Sequence, residues 1–169
     1  MITAARRGDR HDFGTSADAF LQALRLAWVS DAFAAQVLYR AKARMQALGV
    51  PVLPRIAHRL AMMLAQVSIG DPVIVQPGVY ILHGQVVIDG FVEIRSGVAI
   101  APWVTIGLRP GDFTGPTIGE NVTIGTGAKL LGRLEVGAGA KVAANAVVLG
   151  DIPAGTTVAG APARVVSEP

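Results

Sequence analysis

Residues 116–148 read PTIGENVTIGTGAKLLGRLEVGAGAKVAANAVV, and their spacing decides the fold. Ile118, Ile124, Leu130, Val136, Val142 and Val148 stand six apart. Four residues beyond each lie Val122, Ala128, Leu134, Ala140, Ala146 and Ile152, a second inward set. Glycine often follows the aliphatic position, as in Ile118-Gly119, Ile124-Gly125 and Val136-Gly137. Toward the N-terminus, Ile88, Ile94, Ile100 and Ile106 keep the same period, as do Ile69, Val75 and Ile81. A period of six is too short for helical repeats and too regular for a sandwich. It predicts a mainly β protein, a parallel β-helix of triangular section. Each hexad gives one short strand and one corner, and three hexads close a coil, for about five coils in all. Aliphatic side chains of successive coils stack inside, and small residues let the chain turn.

The period breaks twice. Seven residues separate Ile81 from Ile88, so ILHGQVV carries one extra residue, and His83 lies within it. Twelve separate Ile106 from Ile118, where GLRPGDFTGPT (107–117) holds Pro110, Gly111, Gly115 and Pro116 and reads as a loop leaving the prism. Function in repeat arrays gathers at such breaks. With that loop excluded, the coils start at Ile69, Ile88, Ile106, Leu130 and Val148, and the third faces at Ile81, Ile100, Ile124, Val142 and Gly160. His83, Pro102, Thr126, Ala144 and Pro162 then form one column, with Gly84, Trp103, Gly127, Asn145 and Ala163 beside it. Strands stack roughly 4.8 Å apart, so this column spans about 19 Å, close to an extended pantetheine arm. A groove of small residues with a histidine at one end suits delivery of a thioester. The same small residues suit close packing between three copies of the chain.

The N-terminal part has a different grammar. Residues 1–66 hold three of the 20 glycines and nine Lys+Arg against four Asp+Glu, whereas residues 67–169 hold six against eight. The expected organisation is a helical region at 1–66 and a β-helix domain at 67–169. Ser16 caps a helix whose Phe20, Leu24, Ala27 and Trp28 share a face. Phe33, Val37 and Leu48 continue an apolar stripe, which Gly49-Val50-Pro51 stops. Pro54 opens a further helix in which Ile56, Leu60 and Met63 share a face. Arg40, Lys42, Arg44, Arg55 and Arg59 read as a solvated basic face, with membrane-surface contact as the sharper alternative.

Composition excludes several classes. A net charge of +3 over 169 residues does not support nucleic-acid binding. With no cysteine, thiolate metal sites, disulfides and a Cys nucleophile are out. No run of 18 apolar residues marks a membrane span, and MITAARRGDRHDFG lacks a signal peptide's apolar stretch, so a cytoplasmic location is expected. Of His11, His58 and His83, only His83 lies in the prism, so a three-histidine zinc site of β-helix carbonic anhydrase type is excluded. Asp71, Asp89, Glu93 and Asp112 have no metal-site spacing. The glycines of GTGAKLLG belong to the repeat rather than to a dinucleotide fingerprint. His83, beside Gly84 at the foot of the groove, is the candidate general base.

Over roughly residues 35–169 the chain resembles the serine acetyltransferase-like family of left-handed β-helix, hexapeptide-repeat acyltransferases. The resemblance rests on YRAKARMQALGVPVLPRIAHRLAMMLAQVSIG, VYILHGQVVIDG, GVAIAPWVTIG, the 116–148 repeat and the closing DIPAGTTVAGAPARVV. It implies left-handed coils, acetyl-CoA as donor, no metal, and homotrimers that sometimes stack into hexamers, with sites between subunits. It assigns His83 as catalytic base, Thr126 and Ala144 to the CoA arm, Gly107 near the thiol and Arg164 near the nucleotide. Three positions depart from the serine-specific pattern. Ser68 and Leu82 stand where aspartates are expected, and Thr114-Gly115 replaces the Arg-His pair that grips the serine carboxylate. Ser68 is thus the candidate support for the His83 ring, and Trp103 and Thr114 are candidate acceptor contacts. In style the chain is closest to the polysaccharide O-acetyltransferase subgroup, which implies a sugar hydroxyl as acceptor. Serine O-acetylation is the alternative, and a catalytically silent trimeric scaffold is the alternative of another class.

Overall fold

The structure, a computed structural model, describes residues 31–168. His11, Ser16, Phe20, Leu24, Ala27 and Trp28 lie outside the described residues.

Two helices lead in, α1 (Asp31–Ala47) and α2 (Leu53–Ala65). They are joined through Gly49, whose φ of 68° suits a residue without a Cβ. Ile56, Leu60 and Met63 do share a face of α2, but that face is exposed. The buried face is Pro54, Ala57, Ala61 and Ala65. Alanines there, with Ala32 and Ala35 buried on α1, let the two helices and the first coil approach closely, which larger side chains would prevent.

Lys42 is not on the solvated basic face. It is 2% exposed, and its Nζ donates to the Ile69 carbonyl at 2.9 Å and pairs with Asp71 at 2.9 Å. The Tyr39 ring centroid is 5.5 Å away, and the Tyr39 hydroxyl donates to the Val73 carbonyl at 2.6 Å. The stem of Lys42 is apolar enough to lie between helix and coil, while its charge finds partners at the coil's edge. Arg40, Arg44, Arg55 and Arg59 are exposed, as expected. Among the described residues no helix is long and apolar enough to cross a membrane.

The rest is a parallel β-helix of about five turns with three faces. The first face stacks β1 (Val67–Ile69), β4 (Val86–Ile88), β7 (Thr105–Gly107), β10 (Lys129–Leu131) and β13 (Val147–Val148). The second stacks β2 (Ile74–Val75), β5 (Phe91–Ile94), β8 (Thr114–Ile118) and β11 (Glu135–Val136), with Ile152 bridged to Val136 above. The third stacks β3 (Tyr80–Ile81), β6 (Ala99–Ile100), β9 (Thr123–Ile124), β12 (Lys141–Val142) and β14 (Thr157–Ala159). A final strand, β15 (Arg164–Ser167), turns back antiparallel on β14. Strand residues alternate in and out, and the inward ones form the core: Ile88, Ile94, Ile100, Ile106, Ile118, Ile124 and Leu130 are all at most 1% exposed.

The predicted coil starts hold: Ile69, Ile88, Ile106, Leu130 and Val148 are mutually in register. The third face holds through Val142, but its next member is Val158, not Gly160. Ile152 bridges Val136, so the last coil is two residues short at the Gly150-Asp151 corner. The loop is also shorter than its sequence outline. Gly107 ends β7, and Thr114 pairs with Phe91 on β8, which leaves residues 108–113 outside the prism. The Phe113 carbonyl accepts from the Phe91 N–H at 3.3 Å, which returns the chain to the second face.

Candidate active site at the His83 corner

The corner between the third and first faces carries the site. Leu82 donates its N–H to the Ile100 carbonyl, and Val87 donates to Val104, so the register is intact on both sides of His83. Three residues, His83, Gly84 and Gln85, fill the turn that Pro102 and Trp103 fill one coil above. The extra residue makes this corner protrude, and His83 is exposed on it.

The end of α2 supports the protruding turn. The Gln66 carbonyl accepts from the N–H groups of Gln85 at 2.8 Å and Val86 at 3.2 Å. A Cβ on Gly84 would overlap the Ala65 carbonyl oxygen, so only glycine lets the turn sit this close to the helix end.

His83 is followed upward by Pro102, Thr126 and Ala144, as the sequence predicts. Three steps of strand stacking make about 14 Å. The fifth place falls to Gly160, because Val158 rather than Gly160 begins that face. Pro162 belongs instead to the turn that leads into β15. Thr126 and Ala144 are exposed along this corner. Between them the coils are tight: a Cβ on Gly125 would stand 2.6 Å from the Ala144 nitrogen. This stretch of the corner carries only small side chains, Thr126 and Ala144 beside Gly125 and Gly127, which leaves room for an extended thioester arm.

The neighbouring column differs from its sequence outline at both ends, since Gly84 is displaced by Gln85 and Ala163 lies instead in the turn before β15, donating to the Val147 carbonyl at 2.8 Å. It runs Gln66, Gln85, Trp103, Gly127 and Asn145, each just before the first face, with φ values of 53°, 63°, 65°, 74° and 57°. Gln85 takes the place expected of Gly84, because the extra residue precedes it.

The remaining candidates divide between edges. Ser68 lies mid-strand on β1, in register with Val87, and faces outward between buried Val67 and Ile69. Among the described residues no hydrogen bond joins it to His83. Gly107 and exposed Thr114 lie at the corner between the first and second faces, so one chain does not bring them to His83. Arg164 is exposed on β15 opposite Ala159, at the far end from His83. Trp103, 57% exposed, lies one coil above His83 at the same corner. Sequence reasoning missed Lys129, whose Nζ donates to the Trp103 carbonyl at 2.7 Å and to Thr105 Oγ1 at 3.1 Å. It also missed Ala65 and Gln66 as the floor under His83. Lys129 did have a signal: it is the one cation on the outward column Ser68, Val87, Thr105, Lys129 and Val147.

Comparisons with known proteins agree with this architecture. A family profile described as bacterial transferase hexapeptide (six repeats) matches residues 115–150. The serine acetyltransferase of Helicobacter pylori (strain 26695) is 38% identical over 120 residues, covering 69% of this chain and 70% of that protein. The serine acetyltransferase of Synechococcus elongatus is 35% identical over 138 residues, covering 79% of this chain. The chain spans only 56% of that relative's length. Among solved structures, soybean serine acetyltransferase complexed with serine superposes with a TM-score of 0.78 at 30% identity, covering 98% of this chain and 66% of that one. A serine acetyltransferase in complex with CoA superposes with a TM-score of 0.73 at 32% identity, covering 80% and 57%. The identity, the coverage of the Helicobacter protein and the shared coil architecture together place this chain in the serine acetyltransferase family of hexapeptide-repeat transferases.

Proposed function

We propose that the protein is an acetyl-CoA-dependent O-acetyltransferase and that its acceptor is L-serine. The observation that carries this is the one-residue insertion that puts exposed His83 on the corner at the foot of the Pro102–Thr126–Ala144 column. Kinship with proteins named serine acetyltransferase supports serine over the sugar hydroxyl that the altered loop suggested.

In this mechanism the pantetheine arm lies along Thr126 and Ala144, with Arg164 toward the nucleotide and Gly107 toward the thiol. His83 takes the proton from the serine hydroxyl as general base, and the oxygen attacks the thioester carbonyl. The C–S bond breaks, the acyl C–O bond remains, and His83 returns its proton to the departing sulfur. The products are O-acetylserine and CoA, with no acyl-enzyme. Ser68 or a nearby carbonyl orients the ring. Thr114 and Gly107 stand on a different edge from His83 in one chain, which supports a homotrimer with each site completed by a neighbour. Helices α1 and α2 serve as the platform beneath the β-helix domain 67–169.

A second reading keeps a sugar hydroxyl as acceptor. It is favoured by Thr114-Gly115, which offers neither guanidinium nor imidazole to a substrate carboxylate. Thiol release from acetyl-CoA, measured with L-serine and with a sugar panel beside His83→Ala, tests both. Turnover with serine that the variant loses supports the first reading. Turnover with a sugar alone supports the second. No turnover with any acceptor leaves a scaffold.

A further inference from the structure

We infer that Lys129 is a positioning residue for Trp103, and that the Trp103 indole so held walls the acyl end of the proposed thioester path and limits the acyl chain transferred. The inference rests on the reading of His83 as the base, and it begins with the backbone at Trp103. A φ of 65° is left-handed. Above it the same column holds Gly127 and Asn145, the residue types that tolerate this region, and below it Gln85 and Gln66, whose N–H groups are tied to the Gln66 and Met62 carbonyls at the helix end. A bulky aromatic there is an outlier that needs outside support.

Burial does not supply that support, because Trp103 is 57% exposed. Lys129 does. It sits directly above Thr105 on the first face and reaches down one coil to donate to the Trp103 carbonyl at 2.7 Å and to Thr105 Oγ1 at 3.1 Å. Among the described residues it has no ion pair, so its charge is committed to that turn. Lysine loses much rotamer freedom when tied down, and here the tie fixes one carbonyl at the His83 corner. The position matters for chemistry. Acyl carbon must reach His83 from the coils above, along Pro102, and Trp103 is the residue next to Pro102 on that path.

The test compares acetyl-, propionyl- and butyryl-CoA as donors for wild type, Trp103→Gly, Lys129→Met and the double variant. Trp103→Gly is expected to raise the butyryl-to-acetyl ratio of kcat/KM at least about 5-fold, a few-methylene effect of ordinary size for a pocket wall. Lys129→Met is expected to raise it part of the way, and the double variant to match Trp103→Gly, since Lys129 acts through Trp103. An unchanged ratio in Trp103→Gly overturns the wall. A Lys129→Met effect that persists undiminished in the Trp103→Gly background overturns the positioning role. If wild type releases no thiol with any acceptor, the proposed function fails first. The link is then read from Trp103 fluorescence in a Trp28→Phe background, where Lys129→Met should change emission and acrylamide quenching. Identical spectra overturn it.

Discussion

Gly84 meets the carbonyl oxygen of Ala65 with no room for a side chain, which joins the end of a helix to the turn that carries the proposed base. The atom opposite is main chain, so it cannot swing aside. Gly84→Ala should therefore move the His83 turn rather than the helix. The expected result is a stability loss of roughly 1–3 kcal/mol together with a fall in thiol release. Thermal unfolding and steady-state kinetics on the same variant check it. Full activity with unchanged stability would mean that the turn adapts without cost.

His83→Ala should lower turnover by about 100- to 10,000-fold, the range of a lost general base. Binding of CoA, measured by titration, should stay near wild type, because the arm is assigned to Thr126 and Ala144. Ser68→Ala should cost less than His83→Ala, since Ser68 takes no proton and makes no hydrogen bond to the ring among the described residues. Equal losses in the two variants would give Ser68 a larger role than ring support.

Ala144→Leu places an isobutyl group on the exposed corner next to Thr126. It should raise the KM for acetyl-CoA about tenfold or more while stability changes little, because the site faces solvent. An unchanged KM would move the cofactor arm away from this column.

The Lys42–Asp71 pair should show in acid. The hydrogen bond from Lys42 holds the Asp71 carboxyl below the usual carboxylate range. A depressed folded value contributes stability that is fully present above the unfolded value and disappears as pH falls through the folded one. Stability of the wild type should therefore drop across the acidic side of the carboxylate range, and Asp71→Asn should flatten that drop. At neutral pH the substitution should cost about 0.2–1 kcal/mol, since the Asp71 side chain is 70% exposed. Urea titrations at several pH values measure both effects.

The prism was legible because every inward position repeats the same demand for an aliphatic side chain, and register follows from counting. Counting also located the His83 insertion. It could not locate the two residues missing near Gly150-Asp151, because Val148, Ile152 and Val158 supply inward aliphatic residues at either spacing. The loop was drawn too long for a related reason. Gly115 and Pro116 look like turn residues, yet both are buried on β8, where Gly115 makes room for the Val92 side chain. Lys42 was misread because charge argues for solvent, and only tertiary contact with Ile69 and Asp71 reverses that. The apolar stripe of α2 was legible as a pattern, but its exposure was not, since helix periodicity does not say which face meets the core. The division of Gly107 from His83 was legible in the repeat, which sets a residue's height and face, whereas that of Thr114 was hidden by the loop outline.

The hairpin made by β15 has a consequence at the top of the stack. A parallel coil ends in open N–H and C=O groups, a template on which a second stack could grow end to end. β15 occupies that edge of β14 in the antiparallel sense, which a further coil of this repeat cannot continue. At the other end α2 and the Lys42 contact to Ile69 cover the first coil. The β14 edge is therefore closed to further parallel growth, and loss of residues 164–168 should open it and promote tip-to-tip association.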